Sequence, residues 1–241
     1  VSSSDIARES CHLAKRIWQS SRGGAFDVPA LFLPPNTERV GGIASFDIPS
    51  DKHPGAITLA DDKVLRDIDR VVICTGYLFS LPFLLELHDD LTPREKANDT
   101  ILVTDGTQLH SLHKDIFYIP DPTLAFVGVP AYTATFTFFE FQAIAVAAVF
   151  SGRAWLPAKD EMRTEYEEKV NLKGFGRSFH SEKDSEVQYV KELLEWINGQ
   201  AEVTGGEKYE GHSEEWLKEE KVKMVKLKAF LDAKTVTAGK A

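Results

Sequence analysis

Residues 68–74, Ile-Asp-Arg-Val-Val-Ile-Cys, are nearly continuous in apolar β-branched side chains and run straight into Thr75-Gly76-Tyr77. A run of this kind predicts a strand buried on both faces, the environment of a parallel sheet flanked by helices. The sequence therefore points to an α/β fold. In open α/β sheets ligands bind beyond the carboxyl ends of the strands, where Thr75 and Gly76 would lie. Glycine there lets a ligand approach the backbone, since no Cβ intervenes. An ordinary strand-to-turn junction would look the same, so both readings stand at this point. Cys74, at the strand's end, reads as a small core residue rather than a nucleophile.

Further strands are predicted at 28–33, closed by Pro34-Pro35, and at 116–119 and 123–128, separated by the turn Pro120-Asp121-Pro122. Near the start, a serine run followed by Asp5 and the apolar residues Ile6, Leu13 and Ala14 reads as a helix entered from a loop. A short strand over residues 15–20 follows it, as in the back half of a βαβ unit. Residues 137–140 fit a capping box, with Thr137 at the N-cap and Glu140 at N3. The helix they open should reach Phe150, stop at Ser151-Gly152 and be buried on nearly every face. From Pro157 onward charges become dense and apolar residues take helical spacing, as in Val187, Val190, Leu194 and Ile197. Gly205-Gly206 breaks that pattern and residues 216–232 resume it, with Trp196 and Trp216 as anchors. Gly174-Phe175-Gly176 reads as a loop.

Composition excludes some functions. Among 241 residues, 28 Lys+Arg stand against 37 Asp+Glu, a net charge of -9, which is the wrong sign for a protein that tracks phosphates along nucleic acid. Two cysteines, Cys11 and Cys74, are too few for a disulfide framework and fit a reducing compartment, so a cytoplasmic location is expected. The polar opening residues do not resemble a secretory leader. Residues 136–150, the most apolar stretch, contain Glu140 and Gln142 and are too short to span a bilayer, so no membrane contact is expected. His110 and His113 have no companions at metal-ligand spacing, and no metal is expected. Neither a nucleophile elbow nor a P-loop occurs.

Two more segments could carry chemistry. A helix entered from serines offers N–H groups and hydroxyls to an anion. About 20 residues on, where dinucleotide-binding units place an acid for NAD or an arginine for NADP, stand Ser21 and Arg22 with no carboxylate at the strand's end. A capped surface helix followed by a strand is the plainer alternative. The start of the helix at Thr137 carries roughly half a positive charge and could face a flavin or a carbonyl; a capped core helix would serve equally.

Taken in order, SSSDIARE, ICTGYLFSLPFL, IPDPTLAFVGVP and FEFQAIAVAAVFSGRAWLP resemble the flavin-containing monooxygenases, particularly the fungal branch. The first is similar to the end of the family's NADPH motif, GxSxSGxDIA, with Ser3 where its last glycine is usual. The second is similar to its ATGY segment, and the last two to its flavin-side strand and final helix. The likeness covers residues 1–160 with gaps between 23 and 67. It implies an incomplete two-dinucleotide-binding-domain flavoprotein, Rossmann-like and FAD/NAD(P)-binding, with a helical C-terminal tail. The implied parts are a partial NADPH-binding domain at 1–67, the C-terminal part of an FAD-binding domain at 68–156, and a helical extension at 157–241. The chain is expected to be the C-terminal portion of such an enzyme, with the FAD fingerprint and the active-site Asn upstream of Val1.

By the same resemblance, Ser2, Ser3 and Asp5 line the NADPH pyrophosphate turn, and Arg22 with Ser21 meets its 2′-phosphate. Thr75, Gly76 and Tyr77, and Phe136 and Thr137 at the final helix, lie near FAD. No catalytic side chain is assigned. The implied reaction reduces FAD with NADPH and inserts one oxygen atom of O2 into a soft nitrogen or sulfur nucleophile, an amine or a sulfide. The alternatives are a non-catalytic remnant or scaffold, and an N-hydroxylating or Baeyer–Villiger monooxygenase.

Overall fold

The computed structural model describes residues 2–24, 27–47, 55–222, 225–226 and 229. The chain divides into two compact units, residues 1–77 with 225–241, and residues 78–224. The boundaries expected at 67/68 and 156/157 fall inside these units, and the helices from 157 onward pack within the second.

The first unit opens with α1 (Ser2–Ser10), which buries Ser4 and Ala7. The helix ends before Leu13, which is 81% exposed, so the apolar spacing expected to continue through Leu13 and Ala14 does not form. β1 (Ile17–Ser20) pairs in parallel with β2 (Thr37–Val40), with Ser20 opposite Val40. Between them residues 28–33 form a 3-10 turn at Ala30–Phe32 rather than the expected strand. Pro29 has no N–H to give a ladder, and Pro34 and Pro35 close the segment after it. A small antiparallel sheet follows, with β4 (Ala56–Leu59) between β3 (Ile43–Asp47) and β5 (Val64–Leu65). Val40, Ile57, Leu59 and Leu65 form this unit's core.

Residues 68–74 overturn the expectation drawn from them. They form no strand, and Val71, Val72 and Ile73 are 50%, 60% and 76% exposed. A both-faces-buried strand needs a neighbour on each side, and no strand among the described residues pairs with this one. Cys74 is accordingly half-buried rather than a core residue.

The second unit is built on one hairpin and three longer helices. β6 (Leu112–His113) and β7 (Phe117–Tyr118) pair antiparallel across a turn in which Lys114 and Asp115 have φ of 52° and 56°. Of the strand expected at 123–128, only Ala125 makes a bridge, to Phe117. α2 (Thr135–Phe150) begins two residues before its expected N-cap, so Thr137 lies inside it and the capping box does not form. Glu186, distant in sequence, supplies a carboxylate at this end and accepts from the Ala134 N–H at 2.7 Å. The helix stops at Ser151, with Gly152 at φ +74°, as expected. Its burial is one-sided: Phe138, Gln142, Ala145 and Ala148 are covered, but Phe136 is 90% exposed.

α3 (Lys159–Lys173), α4 (Glu186–Asn198) and the short α5 (Ala201–Thr204) complete this unit. α4 packs on α2 through Val190, Leu193, Leu194 and Ile197, whereas Val187 is 46% exposed. Gly205 at φ +72° ends α5. Residues 214–222 are helical, and Trp216 stacks on His212 with centroids 3.7 Å apart. Of the rest of the helix expected at 216–232, residues 225, 226 and 229 are helical, and 223–224, 227–228 and 230–232 lie outside the described residues. No helix among the described residues is long and apolar enough to cross a membrane.

A buried polar layer joins α3 to the hairpin. Asp115 is fully buried, accepts from Lys169 Nζ, and lies 3.0 Å from His180 Nδ1. Burial pulls its pKa up, but the neighbouring His180 and Lys169 outweigh that and hold the carboxyl well below the usual carboxylate range. Beside it, Glu182 accepts from Lys173 Nζ at 2.8 Å and from Ser185 Oγ at 2.7 Å. Tyr189 donates to the Lys114 carbonyl at 2.6 Å and receives Gln142 Nε2 at 2.9 Å, and burial raises its pKa well above the usual tyrosine value.

Removing one partner of a buried ion pair strands the other in low dielectric. Asp115→Asn should therefore cost about 3 kcal/mol or more in urea unfolding of the chain. His110, 1% exposed, gives a pH signature. Burial first, and then the charge of His180, pushes its pKa down to about 4 from 6.5. The unfolded chain then binds more protons between those values, so this group's contribution to stability falls as pH drops from 6.5 to 4. The loss should reach about 3 kcal/mol, and His110→Gln should flatten that part of the unfolding-versus-pH curve.

Candidate functional site

The functional geometry of the first unit gathers at the carboxyl ends of β1 and β2. The amide of Gln19, next to last in β1 and buried, donates from Nε2 to Ser3 Oγ at 2.8 Å and to Ser4 Oγ at 2.9 Å. Its Oε1 accepts from Arg39 Nε at 3.1 Å and Nη2 at 2.8 Å. Arg39 can only donate, which fixes the orientation of the amide. One side chain thus ties the start of α1 to the end of β1 and to the facing residue of β2. Sequence reasoning passed over Gln19 and Arg39. The available signal was a polar residue at the inward position of a short strand.

The chain leaves β1 through Ser20, whose Oγ donates to the Gly41 carbonyl at 2.9 Å, and Ser21, whose N–H donates to the Val40 carbonyl at 3.0 Å. Arg22 follows with its stem against Gly42, where a Cβ would sit 3.6 Å from Cγ. The Arg22 side chain is exposed, and among the described residues its guanidinium has no hydrogen-bond or ion-pair partner. Ser21 Oγ donates to the Asp27 carboxylate, which also accepts the Gly24 N–H at 3.1 Å, while the Gly23 N–H donates to Ser21 Oγ at 3.0 Å. The Ser21 hydroxyl holds the Asp27 pKa below the usual carboxylate range against a partial burial penalty, with help from Arg39. Ser2 and Asp5 are exposed at the start of α1, and Asp5 pairs with Arg8 at 3.2 Å. Of the residues expected to meet NADPH, Ser3 and Ser21 are thus placed at one strand end with Arg22, and Ser2 and Asp5 stand on the first turns of the adjoining helix.

The groups at this strand end are of the kind that hydrogen-bond a phosphate. They offer a hydroxyl, two glycine N–H groups and an unpaired guanidinium, and a Cβ on Gly23 or Gly24 would meet nothing within 4 Å. A carboxylate of the chain already sits on part of that donor set.

The residues expected near FAD are arranged differently. Thr75, Gly76 and Tyr77 are exposed in the first unit, with Gly76 at φ +88° and Tyr77 91% exposed. Phe136 and Thr137 lie in the first turn of α2 in the second unit, where Thr137 Oγ1 donates to the Ala134 carbonyl at 3.0 Å. No reaction step is assigned to them on geometry.

Two constellations in the second unit were missed from the sequence. The Asp115–His180 pair has the outline of a carboxylate-oriented base, but His180 Nε2 lies 3.0 Å from the Leu109 N–H and 3.2 Å from its carbonyl. Leu109 satisfies that nitrogen in either protonation state, so the pair is structural. A polar hollow of about 300 Å³ is lined by His110, Ser111, Arg163, Tyr166, Asn171 and Phe175. Its cation is engaged, with Arg163 Nη1 at 3.1 Å from Asp99 and 3.2 Å from Ser111 Oγ. His113, the other histidine of this segment, is buried edge-on to Trp196. Among the described residues no group of three or more His, Cys, Asp or Glu could hold a metal ion.

A family model described as flavin-binding monooxygenase-like matches residues 51–205. The flavin-containing monooxygenase ustF2 of Aspergillus flavus is 46% identical over 207 residues, covering 82% of this chain and 42% of that protein. The flavin-containing monooxygenase ustF1 of the same fungus is 42% identical over 216 residues, covering 90% of this chain and 40% of that one. The chain thus spans about two fifths of the length of these relatives. In structure it resembles Tmm from Pelagibacter at a TM-score of 0.59 and 22% identity, covering 80% of this chain and 39% of that one. It also resembles S-allyl-L-cysteine S-oxygenase from Allium sativum at 0.55 and 24%, covering 86% and 43%. The fold is the α/β fold of these flavoproteins. With more than half of its length matched by the family model and close fungal relatives on record, the chain belongs to the flavin-binding monooxygenase-like family.

Proposed function

We propose that the chain supplies the NADPH-facing and flavin-facing elements of an FAD- and NADPH-dependent monooxygenase that inserts one oxygen atom of O2 into a soft nitrogen or sulfur nucleophile. The observation that carries the reading is the meeting of Ser3, Ser21 and an Arg22 unpaired among the described residues at the carboxyl ends of a parallel strand pair. That is where open α/β sheets bind ligands, and an arginine there takes a 2′-phosphate. Family membership adds the flavin.

In this reading each residue has a binding or orienting task. Arg22 pairs with the 2′-phosphate of NADPH, and Ser21 and the Gly23 and Gly24 N–H groups donate to its oxygens. The start of α1, with Ser2, Ser3 and Asp5, borders the pyrophosphate, and its free N–H groups favour negative charge there. Gly76, in the left-handed region, turns the chain after Thr75 with no side chain in the way of a ligand. Phe136 and Thr137 set the amino-terminal end of α2 toward the flavin. A bound flavin would supply hydride acceptance and O2 activation, chemistry that no side chain provides. The protein's share is to hold the nicotinamide donor and keep water out.

Charge-assisted contacts to a phosphate are the stronger hydrogen bonds of a site. Calorimetric titration of the 241-residue chain should show NADP+ binding, and Arg22→Gln should weaken it about tenfold while leaving NAD+ binding unchanged. Equal NADP+ affinity in the two proteins would remove Arg22 from the site.

A further inference from the structure

Asp27 is the residue of this strand end that the reading above does not use. It lies six residues beyond Ser21, and the sequence at the strand's end gives no hint of it, since the positions there are Ser20, Ser21 and Arg22. Folding brings its carboxylate back onto them. Asp27 Oδ2 accepts from the Ser21 hydroxyl and from the Gly24 N–H at 3.1 Å, and the Gly23 N–H reaches the same hydroxyl at 3.0 Å. These are the neutral donors that a ribose 2′-phosphate would need. The cations divide: Arg39 is committed to Gln19 and to the Val28 carbonyl, whereas Arg22 is unpaired among the described residues.

We propose that Asp27 is a specificity-determining residue of the nucleotide site, occupying with its own carboxylate the seat that a 2′-phosphate would take. The proposal rests on the NADPH reading of this strand end and adds to it. A phosphorylated ribose must displace the Asp27 carboxylate from Ser21 and Gly24 and then sit beside it, two like charges drawing on one set of donors. An unphosphorylated ribose pays neither cost, and its 2′-hydroxyl can donate to the carboxylate as it stands. Arg22 and Asp27 therefore pull in opposite directions: Arg22 favours the phosphorylated nucleotide and Asp27 the plain one. The preference of this site for NADPH over NADH is set by the balance of the two rather than by Arg22 alone.

The test uses fragments that differ only in the 2′-phosphate, adenosine 2′,5′-bisphosphate and adenosine 5′-monophosphate. Each is titrated calorimetrically into the wild-type chain, Asp27→Asn and Asp27→Ala, with circular dichroism to verify folding. Both substitutions fall in an exposed loop. Losing the carboxylate should tighten the bisphosphate roughly three- to tenfold and change the monophosphate less than about twofold. An unchanged or lowered ratio in both variants, with the wild type binding the bisphosphate, overturns the role of Asp27 and leaves the NADPH reading intact. If none of the three proteins binds either nucleotide, the NADPH reading itself fails for this chain and takes the proposal with it.

Discussion

A carboxylate cut off from water has to be compensated on the spot, and Asp115 imposes that requirement on the whole second unit. It sits in a hairpin turn between two short strands, fully buried. Lys169 must come from α3 and His180 from the loop after it, so the helix and the loop are fixed against the hairpin. Glu182 extends the layer by collecting Lys173 and Ser185, and Ser185 immediately precedes α4. The apolar face of α4 then packs on α2. Charge pairing of this kind adds little net stability over an apolar core of equal volume, but breaking it is costly. What it contributes here is a definite placement of three elements.

The first unit relies on a smaller device. Two four-residue strands and a nine-residue helix bury little apolar surface. Gln19 joins all three with four hydrogen bonds from one amide. Since both of its ends are used, Leu could not replace it without leaving the Arg39 guanidinium and the Ser4 hydroxyl short of a partner. The nucleotide-facing residues leave the sheet just beyond it, so the position of Ser21 and Arg22 follows from that of Gln19.

Local patterns were legible where one segment contained its own explanation. The helix at the start and the strand after it, the end of α2 at Ser151-Gly152, and the buried positions of α4 at Val190, Leu194 and Ile197 could all be read this way. Features made by distant residues were not. The α2 start is served by Glu186, 52 residues from Ala134, which no capping-box spacing could reveal. The Asp115–His180 pair spans 65 residues, and its members carry no motif. β2 reads Thr-Glu-Arg-Val, with too few apolar residues to announce a strand. The clearest apolar run, 68–74, misled for the opposite reason: its composition calls for flanking strands, and none pairs with it among the described residues. The end of the first strand at Ser20 was legible, while Asp27 folds back onto Ser21 from a loop.

The direction of hydrogen bonding through Gln19 has one more effect. Arg39 gives protons to the amide oxygen, and the amide nitrogen gives protons to Ser3 and Ser4. Each serine is thereby used as an acceptor and keeps its own hydroxyl proton, which among the described residues is given to nothing else. The relay begins at a cation and finishes at two hydroxyls in the first turn of α1. An arginine on the next strand thus lends part of its charge to a helix terminus it does not touch.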